Sequence, residues 1–391
     1  MNQLVKKVDT LFRTKFGLKQ DRIVVRSPGR VNLIGEHTDY NEGFVLPASV
    51  DKAMIFVVAP RKDDEIHFCA ADLNDEFTAS VGAIQKSAKG WPNYLLGVID
   101  ELTKSGKRPR GCDVAFGADI PIGAGMSSSA AVECGFAFAL NELFGLGLGK
   151  LELVKLGQRA ENKFVGVQCG IMDQFVNIFG QDRKVLKIDC RSLDFEYFPF
   201  ERPDLNIVLC ETESKRSLAS SEYNVRRQQC EAGVRILQRH KKEITSLRDV
   251  TQEFLAEHRA ELEPVVYQRC EYVVNENERV LAACEALQRN DFRSFGEKMY
   301  QSHEGLSRGY QVSSPDLDFL VNVASSVDGV LGARMMGAGF GGCTINLVEQ
   351  AKVEWFVETV QDRSFQRSGK STNMYVTRIE SGTGLLTAIG D

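Results

Sequence analysis

The sequence predicts a chain of mixed helices and strands, long enough to fold as two domains. Three observations carry that expectation. The length of 391 residues is enough for two domains and a sizeable core. Period-two runs and helix-period runs alternate along the whole chain. Early in the sequence, a strand, a glycine-rich turn and a buried helix follow one another directly.

The turn at that junction is Pro121-Ile-Gly-Ala-Gly-Met-Ser-Ser-Ser-Ala-Ala131. Residues 112–117 before it alternate as a strand, and residues 132–144 after it are almost all apolar or small, with Gly145 as a stop. Gly123 and Gly125 allow backbone angles that other residues resist and let the chain approach a ligand closely. The first amides of a helix have no internal partner and carry the positive end of its dipole. Two readings fit: an ordinary capped helix after a tight turn, or a phosphate cradle whose serines cap the helix or bind a metal–phosphate complex. The P-loop pattern is not met: Gly149-Lys150 has Phe144 and Leu151 at its other required positions, and Gly369-Lys370-Ser371 has Ser364 where the first glycine belongs.

With 43% hydrophobic and 26% charged residues the composition is that of a soluble globular protein. A net charge of -5 gives no general attraction to nucleic acid. No apolar run approaches the roughly 20 residues that a membrane span needs. Residues 1–18 have apolar positions at helical spacing interrupted by Lys and Asp, which predicts a surface helix and not a signal peptide. The ten cysteines include no C-x-x-C pair and mostly sit in apolar stretches, and no N-x-[ST] sequon occurs. We expect reduced cysteines, no zinc site and a cytoplasmic location.

Residues 21–27 alternate as a strand and lead into Pro28-Gly-Arg-Val-Asn-Leu-Ile-Gly-Glu-His-Thr-Asp-Tyr-Asn41. Glu36, His37 and Asp39 form a tight polar cluster there, either a solvated turn or a set of donors and acceptors suited to sugar hydroxyls. Strands are expected at 53–59, 65–71 and 76–81, and helices at 91–102 and 151–164. Glu161, near the end of the second of these helices, reads on its own as a solvent-facing carboxylate. The run Gln168-Cys-Gly-Ile-Met-Asp-Gln174 places Asp173 where it would favour a helix dipole. A hairpin at 184–198, a buried strand at 205–210 and a helix at 217–239 follow, with a domain boundary near residue 200. Residues 251–308 are largely helical. Gly337-Ala-Gly-Phe-Gly-Gly342 matches the dinucleotide fingerprint, but strand-like runs at 329–336 and 343–348 flank it, so it is expected to be a loop between strands. A helix at 352–361 and a strand at 373–379 close the chain.

Pro121-x-Gly-x-Gly-Met-Ser-Ser-Ser-Ala130 resembles the phosphate-binding motif of the superfamily of galactokinases, homoserine kinases, mevalonate kinases and phosphomevalonate kinases. Gly29-Arg-Val-Asn-Leu-Ile-Gly-Glu-His-Thr-Asp-Tyr40 and the C-G-I-M-D-Q run narrow that resemblance to the galactokinase family, and it extends over roughly residues 20 to 380. The resemblance implies an α+β, two-domain fold of mixed sheets and helices, divided as 1–200 and 201–391, with the active site in the interdomain cleft. It implies ATP-dependent phosphorylation of the galactose C1 hydroxyl by a cytoplasmic monomer, with no nucleic-acid or membrane partner. Asp173 and Arg30 inherit the catalytic roles, and Glu36, His37, Thr38, Asp39, Gly170 and Tyr223 the sugar contacts. Gly123, Ala124, Gly125, Met126, Ser127, Ser128 and Ser129 inherit the ATP cradle, and Ser129 with Glu161 the magnesium ion. The glycine-rich loop Gly337-Ala-Gly-Phe-Gly-Gly342 resembles the superfamily's third motif, with departures from the family at Met336, commonly Thr, and at Ala338, commonly Gly. Two other readings are a kinase for N-acetylgalactosamine or another pyranose, and a non-catalytic sugar sensor on the same fold.

Overall fold

The computed structural model describes residues 2–121, 123–212 and 219–386. Residue 1, Ile122 of the glycine-serine turn and the expected helix start at Ser217 lie outside the described residues.

A six-stranded sheet runs in the order Gly384–Leu385, Ile23–Asn32, Pro47–Pro60, Cys112–Ala118, Glu65–Ala70, Asp75–Ser80. It is mixed: Glu65–Ala70 pairs parallel with Cys112–Ala118, and every other pair is antiparallel. Successive residues on a strand face opposite sides, and helices cover both faces here. Val24, Ile55, Val57 and Ala115 pack under Val5, Val8 and Phe12 of the helix Asn2–Phe16. Val25, Phe56, Val58 and Val114 lie in one cluster with Phe136, Ala137 and Leu140 of the helix Ser128–Phe144. Coverage on both sides explains why these strands read as continuous apolar runs.

A second, antiparallel sheet has the order Val330–Met336, Cys343–Glu349, Leu205–Glu211, Met374–Thr377. Its outer face holds Val208, Ala333 and Val348 against Leu320, Phe356 and Val360 of the helices Pro315–Ser325 and Val353–Ser368. Its inner face, with Ile207, Leu209 and Ile345, joins the core cluster of the first sheet. A fourth apolar cluster is mostly helical and gathers Cys230, Leu237, Tyr272, Tyr310 and Leu317. A small sheet of Phe44–Val45, Lys184–Asp189 and Phe195–Pro199 completes the strands among the described residues.

Several elements differ in extent from the sequence reading. The strand expected at 21–27 runs on through Pro28 and Gly29 to Asn32, with a register shift between Pro28 and Arg30. Pro28 is tolerated at such an irregularity because no regular ladder bond is required of it. The helix expected at 151–164 ends at Arg159 and continues as a π-turn over Ala160–Val165. The last strand among the described residues, Gly384–Leu385, was not anticipated; it pairs with Val25 and Arg26 at the edge of the first sheet. All ten cysteines are free.

Gly296 marks the closest approach of the helix Phe292–Glu304 to the second sheet: a Cβ there would lie 1.9 Å from the Leu331 carbonyl oxygen. Alanine inside a helix ordinarily gains up to about 1 kcal/mol over glycine. Here the steric conflict dominates, so Gly296→Ala should destabilise the protein by about 1–3 kcal/mol in urea unfolding. A neutral or stabilising result would contradict this packing.

Candidate active site

Four segments from both halves of the chain line a cleft of about 570 Å³. They are the strand Ile23–Asn32 with the loop after it, residues 166–173, the helix Ala219–Leu237 and the loop between the strands Val330–Met336 and Cys343–Glu349.

At the cleft floor, Arg30 meets Asp173. The irregularity after Pro28 turns Arg30 toward the helix Met172–Phe179, whose first turn carries Asp173. Arg30 Nε donates to Asp173 Oδ1 and Nη2 to Oδ2, both at 2.7 Å. This fork-on-fork pairing sets the carboxylate's plane as well as its position. Arg30 Nη1 also donates to the Gly125 carbonyl, and the Arg30 amide to the Met126 carbonyl at 3.0 Å. Ser127 Oγ donates to Asp173 Oδ2. The glycine-serine turn is thus fastened to the same carboxylate.

In that turn Gly123 and Gly125 have φ of 91° and 74°, and Ser127 itself is left-handed at 53°. The side chains of Ala124 and Met126 are buried in the core, so these two residues offer only backbone to a ligand. The helix Ser128–Phe144 begins without a side-chain cap and with no acidic residue in its first turn. Its leading amides are therefore left to an external anion.

The polar loop sits against the second sheet. Glu36 Oε1 accepts from Arg334 Nη2 at 3.0 Å and from the Gly337 amide at 2.8 Å. Burial raises the Glu36 pKa, but Arg334 and the Gly337 amide outweigh it and leave the carboxyl below its ordinary value. Burial lowers the pKa of His37 to about 4, so its imidazole is neutral at neutral pH. His37 Nδ1 is 2.9 Å from Tyr40 Oη, which is 2.7 Å from Tyr310 Oη, which is 3.2 Å from Cys230 Sγ. That chain of hydrogen bonds ties the loop to the helical core. The Tyr223 ring stands 5.5 Å from that of His37 and 4.9 Å from that of Tyr40. Burial raises the Asp39 pKa to about 6. A Cβ on Gly170 would lie 2.4 Å from Asp39 Oδ2, so the 168–174 run approaches the loop as closely as only glycine permits.

Thr38 is placed differently from the other expected sugar contacts. It is fully buried, and its hydroxyl donates to the Gly35 and Phe44 carbonyls at 3.0 and 2.6 Å. It holds the loop's shape from beneath and does not line the cleft. Glu161 is buried as well, not solvent-facing. The π-turn directs it to Gln174 Nε2 at 2.8 Å and to the Ser129 hydroxyl. Burial raises its pKa. The Ser129 hydroxyl and the Glu161 carboxylate are therefore neighbours.

Sequence reasoning missed Arg334. It is wholly buried and also donates to the carbonyls of Leu33, Asn32 and Met335. The available signal was a lone arginine inside an otherwise apolar strand, which a buried position must pair. Of the departures in the third motif, Met336 is buried in the core and Ala338 lines the cleft.

The chain matches three family models: the GHMP kinases N terminal domain over residues 93–181, the galactokinase galactose-binding signature over residues 10–60, and the GHMP kinases C terminal over residues 283–362. Fold and cleft together are those of a two-domain GHMP kinase. The galactokinase of Roseiflexus sp. is 44% identical over 95% of both chains, and that of Thermosipho africanus 39% over 92% of this chain and 98% of the relative. The galactokinase of Lactococcus lactis, solved in complex with galactose, superposes with a TM-score of 0.91 at 34% identity, covering 98% of this chain and 99% of that one. The chain belongs to the galactokinase family.

Arg334→Met should cost about 3–5 kcal/mol in urea unfolding, because it leaves the Glu36 carboxylate buried without its cation. Adding Glu36→Gln should recover part of that loss; an undiminished cost in the double variant would argue against the pairing.

Asp39 sets a pH dependence of defined sign. With its folded pKa raised to about 6 from 3.8, the folded state binds the extra proton between those values, so this group's contribution to stability falls as pH rises through that window. Asp39→Asn removes that loss. Its stability relative to the parent chain should therefore be more favourable at pH 8 than at pH 5, roughly either side of the folded pKa, in urea unfolding. A difference that is the same at both pH values would show that burial does not perturb Asp39.

Proposed function

We propose that this chain transfers the γ-phosphoryl group of ATP to the C1 hydroxyl of galactose, giving galactose 1-phosphate and ADP. The observation that carries the reading is the bidentate Arg30–Asp173 pair, fastened on one side to the glycine-serine turn and open on the other to the Glu36–His37–Asp39 loop. Phosphoryl transfer needs positioning and charge stabilisation more than covalent chemistry. Asp173 orients the sugar hydroxyl and accepts its proton, since an oxygen already bonded to Arg30 keeps a further lone pair. Arg30 holds Asp173 in place and stabilises negative charge on the moving phosphoryl group. The backbone of residues 123–129 cradles the phosphates, and Ser127 links that cradle to Asp173. Glu36, neutral His37, Asp39, Tyr223 and the Gly170 backbone grip the sugar hydroxyls.

The Ser129 hydroxyl and the buried Glu161 carboxylate are a donor set that suits magnesium, which takes few protein oxygens beside substrate phosphates. When bound there, the ion supplies charge neutralisation on the phosphates.

ADP release should be measured with galactose, glucose and N-acetylgalactosamine. Glucose turns the C4 hydroxyl equatorial and leaves a buried partner unpaired, costing about 1–3 kcal/mol for each such group. Galactose should therefore exceed glucose in kcat/KM by roughly 10²-fold or more. Asp173→Asn should lower kcat with galactose by roughly 10²-fold or more. Comparable values for the two sugars would overturn the substrate assignment, and near-normal turnover in a folded Asp173→Asn chain would remove Asp173 from the mechanism.

A further inference from the structure

Away from the cleft, two of the chain's five histidines stand together beside a carboxylate. His240 lies in the turn after the helix Ala219–Leu237, His258 caps the short helix Gln252–Glu257, and Glu261 belongs to the 3-10 turn Arg259–Glu261. The imidazole centroids are 4.2 Å apart, and His240 Nε2 is 2.7 Å from Glu261 Oε2. One ligand atom from each residue lies within 4.8 Å of the other two.

The orientation of His258 is determined from outside the trio. Its Nδ1 is 2.9 Å from the Phe254 carbonyl oxygen, and its ring packs 4.4 Å from the Phe254 ring. A carbonyl only accepts, so Nδ1 carries the proton and Nε2 keeps its lone pair. A carbonyl bonded to one ring nitrogen is the arrangement that fixes tautomer and ring direction in metal-binding histidines and leaves the other nitrogen for the metal. We propose that His240, His258 and Glu261 form a zinc-class transition-metal site that clips the end of the helix Ala219–Leu237 to the segment 251–261.

Two imidazoles and one carboxylate are a zinc donor set, and the solvent-open side leaves the fourth position for water. Zinc–ligand bonds of roughly 2.0–2.1 Å place tetrahedral donors roughly 3.3 Å apart, so the exposed His240 and Glu261 need only a small rotation toward the half-buried His258. Magnesium, which prefers oxygen, is not suited to these imidazoles, so the site does not duplicate the one at Glu161. Arg239, Lys241 and Lys242 flank His240 in sequence, but their exposed charges are screened by solvent. Roughly 21 Å of helix separates Tyr223 from Leu237, so the metal stabilises this helical region without entering the chemistry of the cleft.

The test is a calorimetric titration of zinc(II) into chelator-treated, nucleotide-free protein, with cobalt(II) absorption as a reporter of tetrahedral nitrogen and oxygen ligation. The parent chain should bind one zinc at this site, and zinc should raise its melting temperature. His258→Phe, which keeps the ring packing, and Glu261→Gln should each weaken binding by roughly 10-fold or more and abolish the thermal shift. Turnover in zinc-free buffer should be the same in all three proteins. No stoichiometric zinc binding, or binding that both variants retain, would overturn the proposal; the latter would place the ion on the cysteines or in the cleft.

Discussion

The buried guanidinium of Arg334 connects the parts of this structure that function requires together. It projects from the second sheet and donates to Asn32, Leu33 and Glu36, residues of the first sheet's leading strand and the loop after it. An unpaired cation at zero exposure would be prohibitive, so all of these partners are needed at once. The position of the polar loop relative to the second sheet follows from that demand. Tyr272 adds to it by donating its hydroxyl to the Glu36 carbonyl at 3.0 Å. The loop thus arrives at the cleft already shaped, with Thr38 turned inward to hold its backbone.

Around this frame the charges are arranged to serve different ends. Glu36 remains a carboxylate despite burial because a guanidinium and an amide face it. His37 loses its charge because burial outweighs the anion beside it. Asp39 is half-buried, and its loss of water, with the charges of Glu36 and Asp173 behind it, pushes its carboxyl up to about 6. Three neighbouring polar residues thus present a strong acceptor, a neutral ring and a titrating carboxyl to the cleft. Arg30 and Asp173 are different again. Their pairing is direct and bidentate, and the glycine-serine turn is bonded to both, so that turn and the cleft floor share one anchor.

The sequence by itself determined the local chemistry. The strand, glycine turn and buried helix around residues 112–144 were legible because period, glycine placement and small residues act within a few positions of each other. The polar cluster at 36–39 and the carboxylate at 173 stood out from their neighbours in the same way, and family resemblance supplied their roles. What only the tertiary structure decided depends on partners far apart in the chain. Glu161 reads as a surface carboxylate until the π-turn buries it beside Ser129 and Gln174. Thr38 reads as one more sugar contact until its hydroxyl is seen bonded to Gly35 and Phe44. Arg334 gives no periodic signal, because its partners lie some three hundred residues earlier. Gly384 and Leu385 become a strand because the edge beside Val25 and Arg26 is open to pairing. Burial and long-range hydrogen bonding assign these residues their parts, and neither is a property of a short stretch of sequence.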